Sequence, residues 1–213
     1  NNFFKSRFKT IPICEDNTRC KAIAEHWSGV ARDIGEFLLL DLGYGIGCAI
    51  VNDGKPLCGS TNNAGELGHT VVLPDGKACR CGKRGCLEAM ASIPAIEEIF
   101  AERFPKCGEK KFSEICALAK EKHQGAIEVL EEAGTYIGIA ASTLVNVLNP
   151  AYLVMSGELL LADGIIDIAI RKAIEDHAIP ASFKALSIVR GKLGENDSIV
   201  GAAALVLQHI FVK

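Results

Sequence analysis

A histidine and three cysteines near the middle of the chain carry the clearest chemical signal. Cys79, Cys81 and Cys86 fall within eight residues, and His69 stands ten residues before the first of them. Thiolate and imidazole are the ligands that zinc prefers, and four of them without a carboxylate form a closed tetrahedral site. Residues 59–86 show no helical or strand period, so a bound ion would hold this segment in place. These residues predict a structural zinc site; the alternative is three thiols and an unrelated histidine.

Three glycines, Gly43, Gly45 and Gly47, alternate with other residues between two apolar runs. In such a turn the backbone amides can approach an anion, as they do in phosphate-binding loops. A β-hairpin turn rich in glycine needs no ligand, so the spacing alone leaves both interpretations open.

Two further groups of polar residues are candidates for ligand binding. Asp16 and Asn17 stand at the predicted start of a helix, where they are also natural N-caps. Glu66 and Glu88 flank the proposed zinc segment, together with His69. Carboxylate, amide and imidazole groups suit the hydroxyls of a small polyol. Solvated loop residues would have the same composition, so this interpretation also stays open.

The composition is that of a globular chain. Hydrophobic residues make up 49% of the 213 residues and charged residues 23%, which excludes a disordered or collagen-like protein. The net charge is -3 and neither sign forms a long block, so nothing indicates a nucleic-acid-binding surface. No apolar run approaches the ~20 residues of a membrane-spanning helix. The first residue is Asn and no signal peptide opens the chain, so we expect a piece of a longer product.

The cysteine count indicates the redox environment. Nine cysteines cannot all pair with one another, so a complete disulfide framework is excluded. Six of them are scattered outside the zinc segment, several in apolar contexts where a free thiol behaves as a small hydrophobe. With a metal-type spacing and no secretory signal, these thiols predict a reducing, cytoplasmic location.

The hydrophobic periodicity alternates between strand and helix after an opening pair of antiparallel strands, which predicts an α/β domain. The predicted strands cover residues 11–14, 36–42, 46–51, 151–155 and 185–189. The predicted helices cover residues 18–27, 87–103, 112–122, 126–148, 163–177 and 199–211.

Taken together and in this order, the motifs resemble the ROK family (repressor, open reading frame, kinase) of sugar kinases and sugar-responsive transcriptional regulators. The resemblance covers nearly the whole chain, and the cysteine segment with its upstream Glu-x-Gly-His is its most specific part. The matching segments are Ile11-Pro12, Glu15 to Asn17, Asp41 to Gly47, Ala64 to His69, Cys79 to Glu88, Asn149-Pro150, Ser156-Gly157 and Gly201-Ala202-Ala203.

The resemblance implies an actin-like ATPase (ribonuclease H-like) fold of two α/β lobes with a sugar in the cleft between them. Residues 1–35 would end the first lobe and form the inter-lobe helix, and residues 36–213 would form the second lobe with a zinc loop at 65–88. Neither the family's first-lobe Asp-x-Gly-Gly-Thr motif nor a helix-turn-helix has a counterpart here, so DNA would be reached only through an N-terminal domain that this chain lacks. Family members are commonly dimers or tetramers, and helices 126–148 and 199–211 would provide the contact unless they are wholly core.

The resemblance also implies roles for single residues. The sugar-binding residues would be Asp16, Asn17, Glu66, His69 and Glu88. His69 would be both a zinc ligand and a sugar ligand, so that the metal fixes its ring orientation. Removing the metal should then loosen sugar binding.

Departures from the kinase pattern all fall on the ATP side. Asn17 stands where the kinases carry the aspartate that accepts the proton of the sugar hydroxyl, and an amide cannot accept it. Asp16 is the only fallback base. Tyr44 replaces a small hydroxyl residue in the phosphate loop, and Ser156 and Glu158 flank the glycine where the adenosine would lie.

These departures favour a sugar-binding and oligomerisation domain of a transcriptional regulator. Its kinase activity would be lost, its phosphate loop vestigial and ATP-Mg²⁺ no longer a cofactor. Two alternatives remain: an ATP-dependent sugar kinase of glucokinase type that uses Asp16 as its base, and a zinc-stabilised interaction module whose sugar cleft is vestigial.

Overall fold

A five-stranded sheet forms the centre of the computed structural model, which describes residues 2–10, 12–162 and 164–211. The spatial order of the strands is β3-β2-β1-β4-β5. The strands are β1 (Phe37–Leu42), β2 (Ile46–Asn52), β3 (Lys55–Pro56), β4 (Tyr152–Ser156) and β5 (Ser187–Arg190).

The pairing of the strands follows from how they are connected. Strands β1 and β2 are joined by a tight turn and pair antiparallel. Strand β4 returns after a long helical crossover and pairs parallel with β1, so that Asp41 lies opposite Ser156 at the carboxyl ends of both strands. Strand β5 adds parallel to β4. In open parallel sheets this edge is where ligands bind.

The described ranges contain nine helices, and helices cover both faces of the sheet. Alternate side chains of β1 point to opposite faces, and both sets are buried because helices cover each face. The helices are α1 (Asn2–Phe8), α2 (Asn17–Ser28), α3 (Leu87–Ala91), α4 (Ile93–Arg103), α5 (Phe112–Lys120), α6 (Gln124–Leu148), α7 (Ile165–His177), α8 (Pro180–Ala185) and α9 (Asp197–Phe211).

Two helix pairs pack closely because glycine lies at the contact. A Cβ atom at Gly138 of α6 would lie 2.5 Å from the Cβ atom of Ala173 on α7. A Cβ atom at Gly201 of α9 would overlap the carbonyl oxygen of Cys20 on α2. Helix α9 is therefore held directly against α2, which carries two of the predicted sugar-binding residues near its N-terminus.

The carboxylate of Glu25 ties α2 to the segment that leads into α9. Glu25 is fully buried, and its Oε1 accepts hydrogen bonds from the backbone amides of Lys192 (2.7 Å) and Leu193 (3.2 Å). Its Oε2 accepts one from the amide of Val30 (2.8 Å). A charged group without water needs such donors, so this carboxylate fixes the path of three chain segments.

Most of the predicted elements are confirmed, with shifts of one or two residues at their ends, and two predictions are wrong. Residues 12–14 are not a strand: Ile13 is exposed and pairs with no other segment that the structure describes, while residue 11 lies outside the described residues. The single helix predicted at 87–103 breaks at Ser92, whose extended backbone and Oγ cap a second helix. The strand predicted at 185–189 is confirmed but starts at Ser187, because the short helix that begins at Pro180 extends to Ala185.

None of the helices in the described part of the chain is both long and apolar enough to span a membrane.

Candidate functional site

A cavity of 890 Å³ opens at the carboxyl ends of β1 and β4. Its walls come from the N-terminus of α2, the turn between β1 and β2, the segment 62–69, the start of α3 and the residues after β4. Every residue predicted to bind sugar or to form the phosphate loop lines it. These residues are Asp16, Asn17, Gly43, Gly45, Gly47, Glu66, His69 and Glu88.

The N-terminus of α2 presents Asp16 and Asn17 differently. Asp16 is the N-cap, and its Oδ1 accepts a hydrogen bond from the amide of Arg19 at 3.1 Å. Glu15 supports the same turn, since its Oε1 accepts from the Arg19 Nε at 2.6 Å. Asn17 is the first helical residue and is exposed to the cavity. The carboxylate next to Asn17 is thus engaged in holding the helix end.

Glu88 is held in the cavity wall by two loops. Its Oε2 accepts a hydrogen bond from the amide of Ile46 in the glycine-rich turn at 3.2 Å. Its Oε1 lies 2.9 Å from Nε of Arg80, which comes from the cysteine segment. Only 13% of the Glu88 side chain is exposed. The carboxylate is therefore oriented before any ligand arrives.

Two glycines of the turn lie directly against side chains of the protein. A Cβ atom at Gly45 would lie 2.8 Å from Oε2 of Glu88, and one at Gly47 would overlap the hydroxyl of Thr18. A Cβ atom at Gly43 would meet nothing within 4 Å. Packing alone thus explains two of the three glycines that the sequence associated with phosphate.

His69, Cys79, Cys81 and Cys86 come together as the sequence predicted. Their ligand atoms all lie within 4.8 Å of one another. His69 Nδ1 is 3.5 Å from Cys79 Sγ, and the Sγ atoms of Cys81 and Cys86 are 3.6 Å apart. Four ligands on one tetrahedral zinc ion would be about 3.8 Å apart. The donor set and its spacing fit zinc, so this cluster could hold a metal ion.

The thiols of the cluster differ in acidity. Burial raises the pKa of the Cys86 thiol to about 12, and the neighbouring thiols add to this effect. A hydrogen bond from the backbone of Lys83 lowers the pKa of the Cys81 thiol, which is exposed to solvent. A bound divalent cation would stabilise thiolate ligands, because it would supply the positive charge that the cluster lacks.

His69 connects this cluster to the cavity. While Nδ1 points at Cys79, Nε2 lies 3.9 Å from Oε2 of Glu66. Glu66 is more than half exposed and lines the cavity. With Nδ1 as a metal ligand, Nε2 would carry the proton and donate a hydrogen bond into the cavity.

A network of charged groups at the glycine-rich end was missed from the sequence. Lys21 Nζ lies 2.8 Å from Oδ1 of Asp41 and 3.8 Å from Oδ1 of Asp197. Ser156 Oγ donates to Oδ2 of Asp197 at 3.0 Å. Burial raises the pKa of Asp41, although the ion pair with Lys21 opposes this shift. Lys21 follows Asn17 by one helical turn, so both residues lie on the same face of α2. This spacing was the available signal that Lys21 belongs to the site.

Comparison with known proteins gives matches along nearly the whole chain. A model of the ROK family matches residues 2–209. The DNA-binding transcriptional dual regulator NagC of Escherichia coli (strain K12) is 33% identical over 210 residues, which cover 95% of this chain and 51% of that protein. A glucokinase of Halalkalibacterium halodurans is 31% identical over 213 residues, covering 93% of this chain and 64% of that protein. The chain thus spans about half the length of the regulator.

A solved structure agrees with the sequence matches. The ROK hexokinase from Thermus thermophilus superposes with a TM-score of 0.89 at 28% identity, covering 98% of this chain and 69% of that one. The predicted actin-like ATPase fold of mixed α/β type is confirmed. With a family match from residue 2 to residue 209, this chain belongs to the ROK family.

Proposed function

We propose that this chain is the sugar-binding and oligomerisation part of a ROK transcriptional regulator that has lost kinase activity. The observation that carries the proposal is that Asn17, an amide, lines the cavity. The resemblance to the family assigns this residue to the position where the kinases need a base. A sugar hydroxyl that attacks a phosphoryl group must pass its proton to such a base. Asn17 can only hold the hydroxyl by hydrogen bonds.

The geometry of Asp16 argues against its recruitment as a substitute base. Its Oδ1 caps α2 through the amide of Arg19. Releasing this bond would uncap the helix, at a cost of about 1 kcal/mol. Successive residues at a helix start also point in different directions, so Asp16 does not take over the place of Asn17 by a one-residue shift.

The residues predicted to bind sugar support this function. Glu66 and Glu88 offer carboxylate acceptors and His69 a ring nitrogen, and Asp16 and Asn17 line the same cavity. Convergent polar groups of this kind bind several hydroxyls of one small ligand. Zinc would act as a structural ion that fixes His69.

The glycine-rich end of the cavity carries more negative than positive charge. Asp41 and Asp197 bring two carboxylates to the end of β1 against the single ammonium of Lys21, and Glu158 adds a third on the cavity wall. This surplus of negative charge opposes a polyphosphate. It supports a vestigial phosphate loop at Gly43, Gly45 and Gly47 and a site that works without ATP-Mg²⁺.

The domain assignment and partners follow from the same family. Residues 1–35 would end a first lobe and residues 36–213 form the second, in a cytoplasmic protein that is a dimer or tetramer. Contact with DNA would come from an N-terminal domain, and the similar protein NagC is a DNA-binding regulator. Sugar binding would change the arrangement of the lobes and so the DNA-binding state.

An ATP-dependent sugar kinase is the second candidate, because the glucokinase of Halalkalibacterium halodurans is nearly as similar as NagC. A coupled assay of ADP release separates the two candidates. It uses the longest form that the gene encodes, loaded with zinc, and a panel of hexoses, N-acetylhexosamines and xylose. A regulator gives sugar binding without sugar-dependent ADP release. Robust turnover that Asp16→Asn abolishes would establish the kinase instead, with Glu175→Gln on the exposed face of α7 as the matched control.

A further inference from the structure

A second cavity of 560 Å³ lies beside the first, on the side of the cysteine segment. Three residues, Tyr44, Arg80 and Glu88, line both cavities and so form the wall between them. Glu88 is nearly buried and anchored, whereas 76% of the Arg80 side chain is exposed. Tyr44 is also exposed, at 71%, so Glu88 is the fixed part of this wall and the other two side chains face solvent.

Arg80 lies between the two cavities and contacts Glu88 through two of its nitrogens. Its Nε lies 2.9 Å from Oε1 of Glu88, and its Nη2 donates to Oε2 at 3.3 Å. A guanidinium has five N–H groups, so about three remain for other acceptors. Arg80 also stands between Cys79 and Cys81, so the metal cluster would fix its backbone.

Three basic side chains, Lys77, Arg80 and Arg84, line the second cavity together with the carboxylates Glu88 and Glu98. Lys77 is neutralised by Glu98 at 3.0 Å and by Glu102 at 2.7 Å. Among the side chains that the structure describes, no carboxylate forms an ion pair with Arg84. The guanidinium of Arg84 thus lines the same cavity as that of Arg80, whose partner is Glu88.

We propose that Arg80 and Arg84 form a subsite for an anionic substituent, a carboxylate or a phosphate, carried by the sugar near the hydroxyls that Glu88 binds. This proposal rests on the proposed function, because it assumes that a sugar occupies the first cavity. Glu88 and His69 would hold the sugar ring. Its anionic substituent would extend past Arg80 into the second cavity. Planar guanidinium groups bind carboxylate and phosphate with paired hydrogen bonds.

Titration calorimetry with matched neutral and anionic sugars tests this subsite on the zinc-loaded protein in its longest natural form. The ligands are glucose, glucuronate, glucose 1-phosphate and glucose 6-phosphate, with N-acetylglucosamine and its 1- and 6-phosphates as a second set. We expect at least one anionic sugar to bind about tenfold more tightly than its neutral parent. The comparison of glucuronate with the phosphates shows which anion the subsite takes.

The variants Arg80→Gln and Arg84→Gln should each bring the ratio of anionic to neutral affinity close to one. Lys83→Gln removes a charge from the same loop without lining either cavity, so it should keep the wild-type ratio. Zinc content and melting temperature establish that each variant is folded. If Arg80→Gln loses its metal, the affinity ratio of Arg84→Gln decides the test. A ratio that neither variant changes, or a preference for neutral sugars, would overturn the subsite alone. Absence of binding by every sugar would refute the proposed function itself.

Discussion

His69 Nδ1 lies 3.5 Å from Cys79 Sγ, and this contact joins the cysteine cluster to the cavity. The other ring nitrogen lies 3.9 Å from Oε2 of Glu66 on the cavity wall. One imidazole therefore belongs to two sites. A metal ion bound through Nδ1 would set both the tautomer and the direction of the ring, so the metal and the sugar should be coupled through this residue.

Removal of the metal should weaken sugar binding. Dialysis against a chelator frees the His69 ring to rotate, and we expect the dissociation constant of the sugar to rise by about tenfold or more. Calorimetry of the same sample before and after chelation measures the change, and added Zn²⁺ should reverse it. Unchanged affinity in a sample shown to be metal-free would break the link between the two sites.

Substitution of one cysteine should remove the metal without touching the cavity directly. Cys86→Ser replaces a buried ligand, so we expect loss of bound zinc and a lower melting temperature, since the metal contributes folding free energy. Metal analysis by mass spectrometry and thermal denaturation provide the two readouts. Cys14→Ser, at an exposed cysteine outside the cluster, is the control and should retain one zinc per chain. A Cys86→Ser protein with full zinc content would contradict the assignment of the ligands.

Loss of the buried charge at Glu25 should destabilise the fold. In Glu25→Gln an amide NH₂ group replaces one of the two oxygens that accept hydrogen bonds from backbone N–H groups. Two donors would then face each other, so we expect the free energy of unfolding to fall by about 3 kcal/mol. Urea denaturation measures this, with the exposed Glu175→Gln as the neutral comparison. A loss no larger than that of the comparison would mean that this carboxylate does not hold the chain segments together.

The raised pKa of Asp41 predicts a pH dependence of stability. Burial is the largest cause of the shift, and the nearby Asp197 adds to it while Lys21 opposes it. A carboxyl whose pKa is higher in the folded state than in the unfolded chain binds its proton more tightly when folded. Its contribution to stability is therefore greatest below the ordinary value of 3.8 and declines as the pH rises through the folded pKa.

The direction of this pH dependence can be measured with Asp41→Asn, which has no carboxyl proton to lose. The free energy of unfolding of the wild type minus that of Asp41→Asn should increase as the pH is lowered from 7 towards 4. Urea denaturation of both proteins at matched pH values gives this difference. A difference that decreases on acidification would mean that the ion pair with Lys21 outweighs burial.

Local sequence patterns predicted the elements and the metal cluster well, because their causes are local. The apolar run of β1 and the period of α2 reflect burial of adjacent residues, and the cysteine spacing directly encodes the ligand set. The break at Ser92 also had a local signal, a serine followed at the second helical position by Pro94. The apolar residues at 12–14 gave a false strand because no segment in the described part of the chain pairs with them.

Contacts between distant segments could not be predicted in the same way. Lys21 meets Asp41 and Asp197 only because α2, β1 and α9 converge at one end of the sheet. The wall formed by Tyr44, Arg80 and Glu88 likewise depends on how two loops meet. Such arrangements are decided by tertiary packing. The spacing of Lys21 from Asn17 indicates that both lie on one face of α2, but it does not indicate which carboxylates Lys21 meets.

Titration calorimetry of the zinc-loaded protein with a sugar panel, with and without ATP-Mg²⁺, is the most direct test of a cavity that binds a sugar but, with Asn17, transfers no phosphoryl group. We expect sugar binding whose affinity is the same with and without nucleotide, with no ADP formed. Binding that tightens with ATP-Mg²⁺ and releases ADP would contradict the proposed function and identify a kinase.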